Sequence, residues 1–355
     1  MGLPNIEVAF KMAGASAIDR SDGKVVGVIL RGDANVTNPL IMTSVTDIPG
    51  NISGYNKEQL QLVFRGYVTV PKAVILYQLS SEATDYKDAQ DYFETVNIAY
   101  IVVPGIEATE VDEFSSWVKS CRDNKRIKMK AVLPHCKADH EGIINFTTDK
   151  IRVGSKEYEA KDYCSRVAGI LAGTPMEISA TYAKLNEVDD VPHLTIKEAD
   201  EKIDAGEFIL YYEDESVKVG RAVNSLTTLT ATKREALQKI KIVELLDMIF
   251  YDIRKTAKDN YVGKYPNTYD NKVLLIVAIG AYFKELERSQ LLKADASVVQ
   301  IDEVKNASYL EGKGTDITKL TAQEIKEADT GSNVFLDGAV TPIDAMEDIF
   351  LNIAI

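Results

Sequence analysis

Apolar residues in the first two thirds of the chain follow two alternating patterns. Continuous apolar runs, typical of strands buried on both faces, occupy residues 24–30, 40–45, 72–79, 97–103 and 128–133. Segments with the apolar spacing of amphipathic helices lie between them, at residues 57–67, 85–96 and 111–124. Thr84 is the expected N-cap of the second of these helices. Strands and helices in this alternation predict an α/β domain with a parallel sheet covered on both faces.

The same pattern continues to Gly220 and then changes. Short strands at 142–146 and 151–153, helices at 161–171 and 196–205, and a hairpin over 207–219 complete the predicted α/β part. A polar connector, Arg221–Thr228, follows. Beyond it we expect long helices at Lys233–Asp259 and Lys272–Leu292, a strand at 296–301 and helices at 303–311 and 321–329. This predicts a separate α+β domain after the connector.

Both ends of the chain alternate between apolar and other residues with a period of two, which is typical of strands with one buried face. The apolar positions are Ile6, Val8 and Phe10 at the start and Ile349, Leu351, Ile353 and Ile355 at the end. An apolar strand needs a partner for its backbone groups, either in its own domain or in another subunit. The candidate hinges beside these segments are Gly14, Gly331 and Gly338.

Composition narrows the class of protein. The 355 residues carry a net charge of −13, which argues against nucleic acid as the main partner. Three cysteines are too few for a disulfide framework, and no secretory leader opens the chain, so synthesis in the cytoplasm is expected. The longest apolar run, Val273–Phe283, is shorter than the ~20 residues of a membrane span, which predicts a buried helix and no membrane insertion.

Candidate chemistry is sparse. His135-Cys136 and Asp139-His140-Glu141 form the one cluster of metal-ligating residue types, but their spacing fits a polar loop better than a zinc site. The sequence has no G-x-S-x-G motif, no phosphate-binding P-loop spacing and no dinucleotide-binding glycine motif after the first strand. We therefore predict no catalytic, cofactor-binding or metal-binding residues, and no enzymatic activity.

One charge feature stands out against the acidic background. Residues 233–264 hold eight basic and five acidic side chains. An ordinary solvated helix face explains this excess, and so does a docking face for an acidic partner. The residues proposed for such a face are Lys239, Lys241, Arg254 and Lys258.

Taken in order, these features resemble the tail sheath proteins of contractile phage tails and of phage-tail-like bacteriocins. The N-terminal strand, the α/β middle, the paired long helices and the apolar end all match, over nearly the whole chain. The most specific segment is the connector Gly220–Thr227, which is similar to the R-x-V-N-S segment at the start of the family's assembly domain.

The resemblance implies a fold and a mechanism. The domains are an N-terminal arm (1–20), an α/β domain of subtilisin-like topology without a catalytic triad (21–220), an assembly domain (221–330) and a C-terminal arm (331–355). It implies stacked six-subunit rings around an inner tail tube, with both arms adding strands to neighbouring subunits. Baseplate and terminator proteins are further implied partners, and the protein leaves the cytoplasm within a released particle.

A second interpretation remains open at this point. The alternation of strands and helices also fits a doubly wound α/β enzyme with a helical oligomerisation domain. The two hypotheses predict different assemblies, because an enzyme forms a small closed oligomer whereas a sheath protein polymerises into tubes.

Overall fold

The computed structural model describes residues 17–21, 23–32 and 35–354, and these residues form two compact units. The larger unit takes in the described residues up to Asp247, from 23 onward, and again those from Asp344. The smaller unit takes in residues 17–21 and 248–343. Several predicted arm and hinge residues lie outside the described part of the chain: Ile6, Val8, Phe10, Gly14 and Ile355.

A seven-stranded sheet forms the centre of the larger unit. The strands of this unit are β1 (Val25–Arg31), β2 (Leu40–Met42), β3 (Ala73–Leu79), β4 (Tyr100–Val102), β5 (Lys130–Pro134), β6 (Ile143–Phe146), β7 (Ile151–Val153), β8 (Lys156–Tyr158), β9 (Glu207–Phe208), β10 (Leu210–Glu213) and β11 (Ser216–Val219). The sheet order is β2-β3-β1-β4-β5-β6-β9, and all neighbours are parallel except β2 and β3. β7–β8 and β10–β11 are separate antiparallel pairs.

Helices cover both faces of this sheet. The helices of the larger unit are α1 (Gly54–Phe64), α2 (Lys87–Phe93), α3 (Ala108–Asp123), α4 (Ala160–Ala172), α5 (Ile196–Asp204) and the first half of α6 (Ile240–Thr256), and the first four cover the sheet. Alternate residues of the central strands β1, β3, β4, β5 and β6 enter two separate apolar cores, as Val28 and Ile29 of β1 illustrate. One core includes α1 and α4, and the other includes α2 and α3. The mixed α/β fold with a parallel sheet is therefore confirmed.

Buried charges fix the start of α6 to the larger unit. Glu244 accepts a hydrogen bond from Lys24 Nζ at 2.6 Å and another from the Tyr100 hydroxyl. Lys24 also donates to the carbonyl of Leu171, at the last turn of α4, at 2.9 Å. Burial lowers the pKa of Lys24, and the carboxylate of Glu244 opposes this shift. Lys24, which precedes β1, and Tyr100, the first residue of β4, therefore position the first half of α6.

The smaller unit comprises the second half of α6 and five further elements. These are α7 (Tyr269–Arg288), β12 (Val298–Ile301), α8 (Glu303–Gly312), α9 (Ala322–Glu327) and β13 (Leu336–Ala339). The Tyr282 hydroxyl of α7 donates to the buried carboxylate of Asp252 on α6, at 2.7 Å. β12 and β13 pair antiparallel as a two-stranded sheet.

Three predicted elements are wrong in detail. α2 begins at Lys87 after Tyr86, so Thr84 is not its N-cap. The long helix predicted over Lys233–Asp259 is a 3₁₀ turn (Glu235–Gln238), α6, and a π-helical turn (Ala257–Tyr261). The hairpin predicted over 207–219 is shorter, because Glu207–Phe208 pairs with β6 in the main sheet.

Helix α7 is less buried than its sequence predicts. Residues 273–276 are half-buried within the described structure, and Val277 is exposed. No helix among the described residues combines the length and apolar character needed to cross a membrane.

Candidate functional site

The C-terminal residues divide into two parts with opposite properties. We call Asp344–Asp348 the arm root and Ile349–Ala354 the arm tip. Up to residue 348 the chain alternates as predicted, because residues 343, 345 and 347 are partly covered whereas 344, 346 and 348 are exposed. No strand forms over 343–354 in the described structure, so the predicted terminal strand is not paired within its own chain.

The arm root is bonded to the larger unit through its acidic side chains. Glu347 Oε1 lies 2.6 Å from the Thr181 hydroxyl and 3.0 Å from that of Ser179. The Lys239 ammonium lies 3.3 Å from Glu347 Oε2 and also binds Asp344. These contacts leave the Glu347 side chain only 6% exposed.

The remaining contact of the arm root comes from the connector. Arg221 donates to Asp348 Oδ1 at 2.5 Å. The carboxylate of Asp348 raises the pKa of Arg221, so this guanidinium stays charged. Carboxylates paired with cations and hydroxyl donors make charge-assisted hydrogen bonds, which are stronger than neutral ones.

The arm tip is exposed along its whole length. Ile349 is 82% exposed, and Phe350, Leu351 and Ile353 are 94%, 77% and 77% exposed. Within the described residues, the side chains of the tip make no hydrogen bond or ion pair. A contiguous exposed apolar segment of this kind is typical of an interaction site.

Residues 222–226 of the connector are buried, whereas Thr227 and Thr228 are exposed. Asn224 and Ser225 are almost completely buried. The Ser225 hydroxyl donates to the His140 carbonyl at 3.0 Å and accepts from the His140 N–H at 3.2 Å. The Asn224 amide donates to the Leu237 carbonyl at 2.7 Å. The buried polar side chains of the connector therefore satisfy backbone N–H and C=O groups of other segments by hydrogen bonding.

The two described hinge candidates lie in different settings. Gly331 has a φ of +62°, in the left-handed region that favours glycine. Gly338 lies inside β13, in register with Val299 of β12. A hinge role for either residue stays a prediction.

The four basic residues predicted to form a docking face do not share one environment. Lys239 forms an ion pair with Glu347 of the arm root, and Lys241 is buried within the larger unit. Arg254 and Lys258 belong to the smaller unit, where Lys258 is exposed. Arg254 lies over the ring of Phe250, 5.7 Å from its centre.

The candidate metal cluster is a hydrogen-bonded group. Asp123, His140 and Glu141 bring ligand atoms within 4.8 Å of one another. His140 Nδ1 accepts from the Gly142 N–H at 3.0 Å, so the neutral ring carries its proton on Nε2, which faces Asp123 at 3.3 Å. Lys233 supplies a cation 3.0 Å from Glu141. Because both ring nitrogens of His140 are engaged in these hydrogen bonds, the geometry favours a structural role.

Sequence reasoning missed the arm root. The sequence does not indicate that its residues meet their partners, because they are far apart in the chain: Ser179, Thr181, Arg221 and Glu347. One indication was present, because Glu347 occupies an odd-numbered position, in phase with the apolar residues of the alternating segment. An acidic residue on the covered side of an extended segment needs a polar partner.

Comparison with known families identifies both parts of the chain. The model of the phage tail sheath protein central domain matches residues 80–225, and that of the phage tail sheath C-terminal domain matches residues 232–355. The tail sheath protein of Clostridium phage phiCD119 is 38% identical over 356 aligned residues, covering 99% of each chain. The protein YqbK of Bacillus subtilis is 27% identical over 354 residues, covering 97% of this chain and 69% of YqbK.

Solved structures share the fold. The sheath tail protein of Desulfitobacterium hafniense superposes with a TM-score of 0.71 at 18% identity, covering 84% of this chain and 94% of that one. The helical sheath of the anti-feeding prophage in its contracted state superposes with a TM-score of 0.73 at 15% identity, covering 100% and 99%. The relative from phage phiCD119 is a tail sheath protein, which favours the sheath hypothesis over the enzyme. The chain belongs to the phage tail sheath protein family.

Proposed function

We propose that this protein polymerises as stacked six-subunit rings around an inner tail tube and contracts to drive the tube through a cell envelope. Neighbouring subunits are linked by their N- and C-terminal arms, which add strands to each other's sheets. The single observation that carries this proposal is the exposed apolar arm tip, Ile349–Ala354.

The smaller unit offers a matching acceptor. β12 and β13 form a sheet of only two strands, so each has one edge without a partner in the described structure. Two open edges suit two arms, one from each end of a chain. An added strand is held by backbone hydrogen bonds, and pockets for alternate side chains set its register.

Burial of the arm tip supplies much of the driving force. Ile349, Leu351 and Ile353 lie on one side of an extended chain, and each contributes about 1.5–3 kcal/mol when fully buried. Many identical contacts of this size stabilise a polymer whose individual contacts are modest.

The remaining features fit a structural subunit. We propose that the α/β unit has a topology related to subtilisin and serves as a scaffold without protease activity. The inner tube protein, baseplate proteins and a terminator protein are the proposed partners, and assembly takes place in the cytoplasm before the particle is released. The proposed tube-facing surface lies on the second half of α6 and the π-helical turn, at Arg254 and Lys258.

Removal of the arm tip tests this function. We expect deletion of Ile349–Ile355 to give a folded monomer with unchanged thermal stability, because the described part of the tip makes no stabilising side-chain bonds. Negative-stain electron microscopy of the purified variant should then show no cylinders, whereas the full chain forms them. Cylinders of normal length from the deleted variant would refute the proposal.

A matched pair of variants distinguishes strand addition from non-specific hydrophobic association. Ile349→Ser with Leu351→Ser and Ile353→Ser changes one side of the extended tip. Phe350→Ser with Asn352→Ala changes the other side. We expect the first variant to lose assembly and the second to retain most of it.

A further inference from the structure

We propose that the arm root is a polar clip that stays closed on its own subunit when the arm tip joins a neighbour. The pivot of the C-terminal arm then lies between Asp348 and Ile349, rather than at Gly331 or Gly338. This inference rests on the proposed function, since it specifies which residues leave the subunit and which remain.

The first argument is the change in environment at one peptide bond. Glu347 is almost fully covered and Asp348 is paired with Arg221, whereas Ile349 is 82% exposed. A pivot is expected where a firmly bonded segment meets one without partners.

The second argument is the number and kind of bonds. Two cations and two hydroxyl groups surround three carboxylates, and the acceptors come from a stretch of only five residues. The donors Ser179, Thr181, Arg221 and Lys239 all belong to the larger unit. Thr181 also accepts from the Ala222 N–H at 3.0 Å, which ties the clip to the buried connector.

The third argument concerns the upstream glycines. Gly338 is paired within the β12–β13 sheet, and the chain after it is bonded again, because the Ile343 N–H donates to the Leu291 carbonyl at 2.9 Å. Movement at Gly331 or Gly338 would require these bonds to break before the tip moved. The clip has a geometric consequence, because the residues Ile349–Ile355 span at most roughly 23 Å. Any strand of a neighbour that pairs with these residues must therefore lie within that distance of Asp348.

A reversible lock tests whether the root stays in place. Thr181→Cys combined with Glu347→Cys introduces one thiol on each of the two segments that the Thr181–Glu347 contact joins, and the loss of both free thiols on oxidation verifies that the disulfide has formed. The native cysteines Cys121, Cys136 and Cys164 are buried, and burial raises the pKa of the Cys121 thiol to about 12, so they do not compete. We expect the oxidised, locked protein to assemble into cylinders at least as readily as its reduced form, which lacks the Thr181–Glu347 bond. Cylinders that appear only after reduction would overturn the proposal.

A second variant tests whether the clip matters for assembly while the arm sequence stays native. Thr181→Val with Lys239→Met removes two donors of the clip, and Thr109→Val with Lys57→Met is the control at exposed positions of α3 and α1 on the same unit. We expect the clip variant to raise the critical concentration for cylinder formation about tenfold or more, because the tip loses its fixed starting point. A critical concentration equal to that of the control would overturn the proposal. Failure of the sheath function itself would appear differently, as absence of cylinders from the unaltered chain.

Discussion

Arg122 donates two hydrogen bonds to the carboxylate of Asp247, at 2.9 and 3.0 Å, in the interior of the larger unit. Arg122 lies near the end of α3 and Asp247 lies on α6. Lys130, at the start of β5, adds a third contact to the same carboxylate at 3.2 Å. Since all three side chains are buried, this group fixes the first half of α6 against the amino end of the sheet.

Loss of the Asp247 carboxylate should therefore lower the free energy of unfolding. Asp247→Ala leaves two buried cations without their carboxylate, and breaking a buried ion pair in this way costs about 3–5 kcal/mol. Urea unfolding of the monomeric tip-deleted protein measures the change. Asp91→Ala is the control, because the Lys87–Asp91 pair is exposed on α2 and such pairs contribute about 0.3–0.5 kcal/mol. Equal effects of the two substitutions would show that the buried group does not hold α6.

The close approach of α1 and α4 gives a second prediction. A β-carbon added at Gly169 would lie 2.4 Å from the carbonyl oxygen of Val63, so Gly169→Ala forces the two helices apart. Overpacking of this kind costs about 1–3 kcal/mol. Gly50→Ala is the matched control, since no atom lies within 4 Å of its added β-carbon. Differential scanning calorimetry should show a lower melting temperature for the Gly169 variant alone.

Glu287 predicts a dependence of stability on pH. The Lys284 ammonium, 2.8 Å away, helps to lower the pKa of Glu287 from 4.5 to about 2. A carboxyl whose pKa is lower in the folded state stabilises the fold above its unfolded pKa, and the stabilisation disappears as the pH falls. We expect the melting-temperature difference between the native protein and Glu287→Gln to be constant above pH 5 and to shrink between about pH 4.5 and 2. A difference that grows towards low pH would contradict this.

The sequence predicts the regular parts of this fold well, for an identifiable physical reason. β1, β3, β4 and β5 are buried on both faces, so their apolar runs are continuous and easily recognised. β13 was missed because its four residues, Leu336–Ala339, include one strongly apolar side chain.

The functional regions were harder to predict because they depend on contacts distant in sequence. The connector looks like a solvated loop, yet Asn224 and Ser225 are buried and bonded to residues that precede and follow them. Lys239 has the sequence character of a helix-surface charge, but its partners, Asp344 and Glu347, lie about a hundred residues away. Periodicity identifies faces, and it does not identify which distant polar groups meet.

The tube-facing surface is tested by charge reversal. We expect Arg254→Glu with Lys258→Glu to abolish or strongly reduce sheath assembly on the inner tube, because it reverses the charge offered to an acidic partner. Lys57→Glu with Lys197→Glu makes the same change in net charge on exposed positions of α1 and α5. Co-sedimentation of sheath with purified tubes measures the effect. Normal yield from the first variant would exclude this surface as the docking face.

The central claim is that each arm tip completes the sheet of another copy of the chain. A high-resolution cryo-EM reconstruction of assembled cylinders tests it most directly, by following the density of Ile349–Ile355 from its own arm root. We expect that density to run beside β12 or β13 of a neighbouring subunit, within hydrogen-bonding distance of its open edge. Density that turns back and pairs with its own subunit, touching no other copy, would contradict the account.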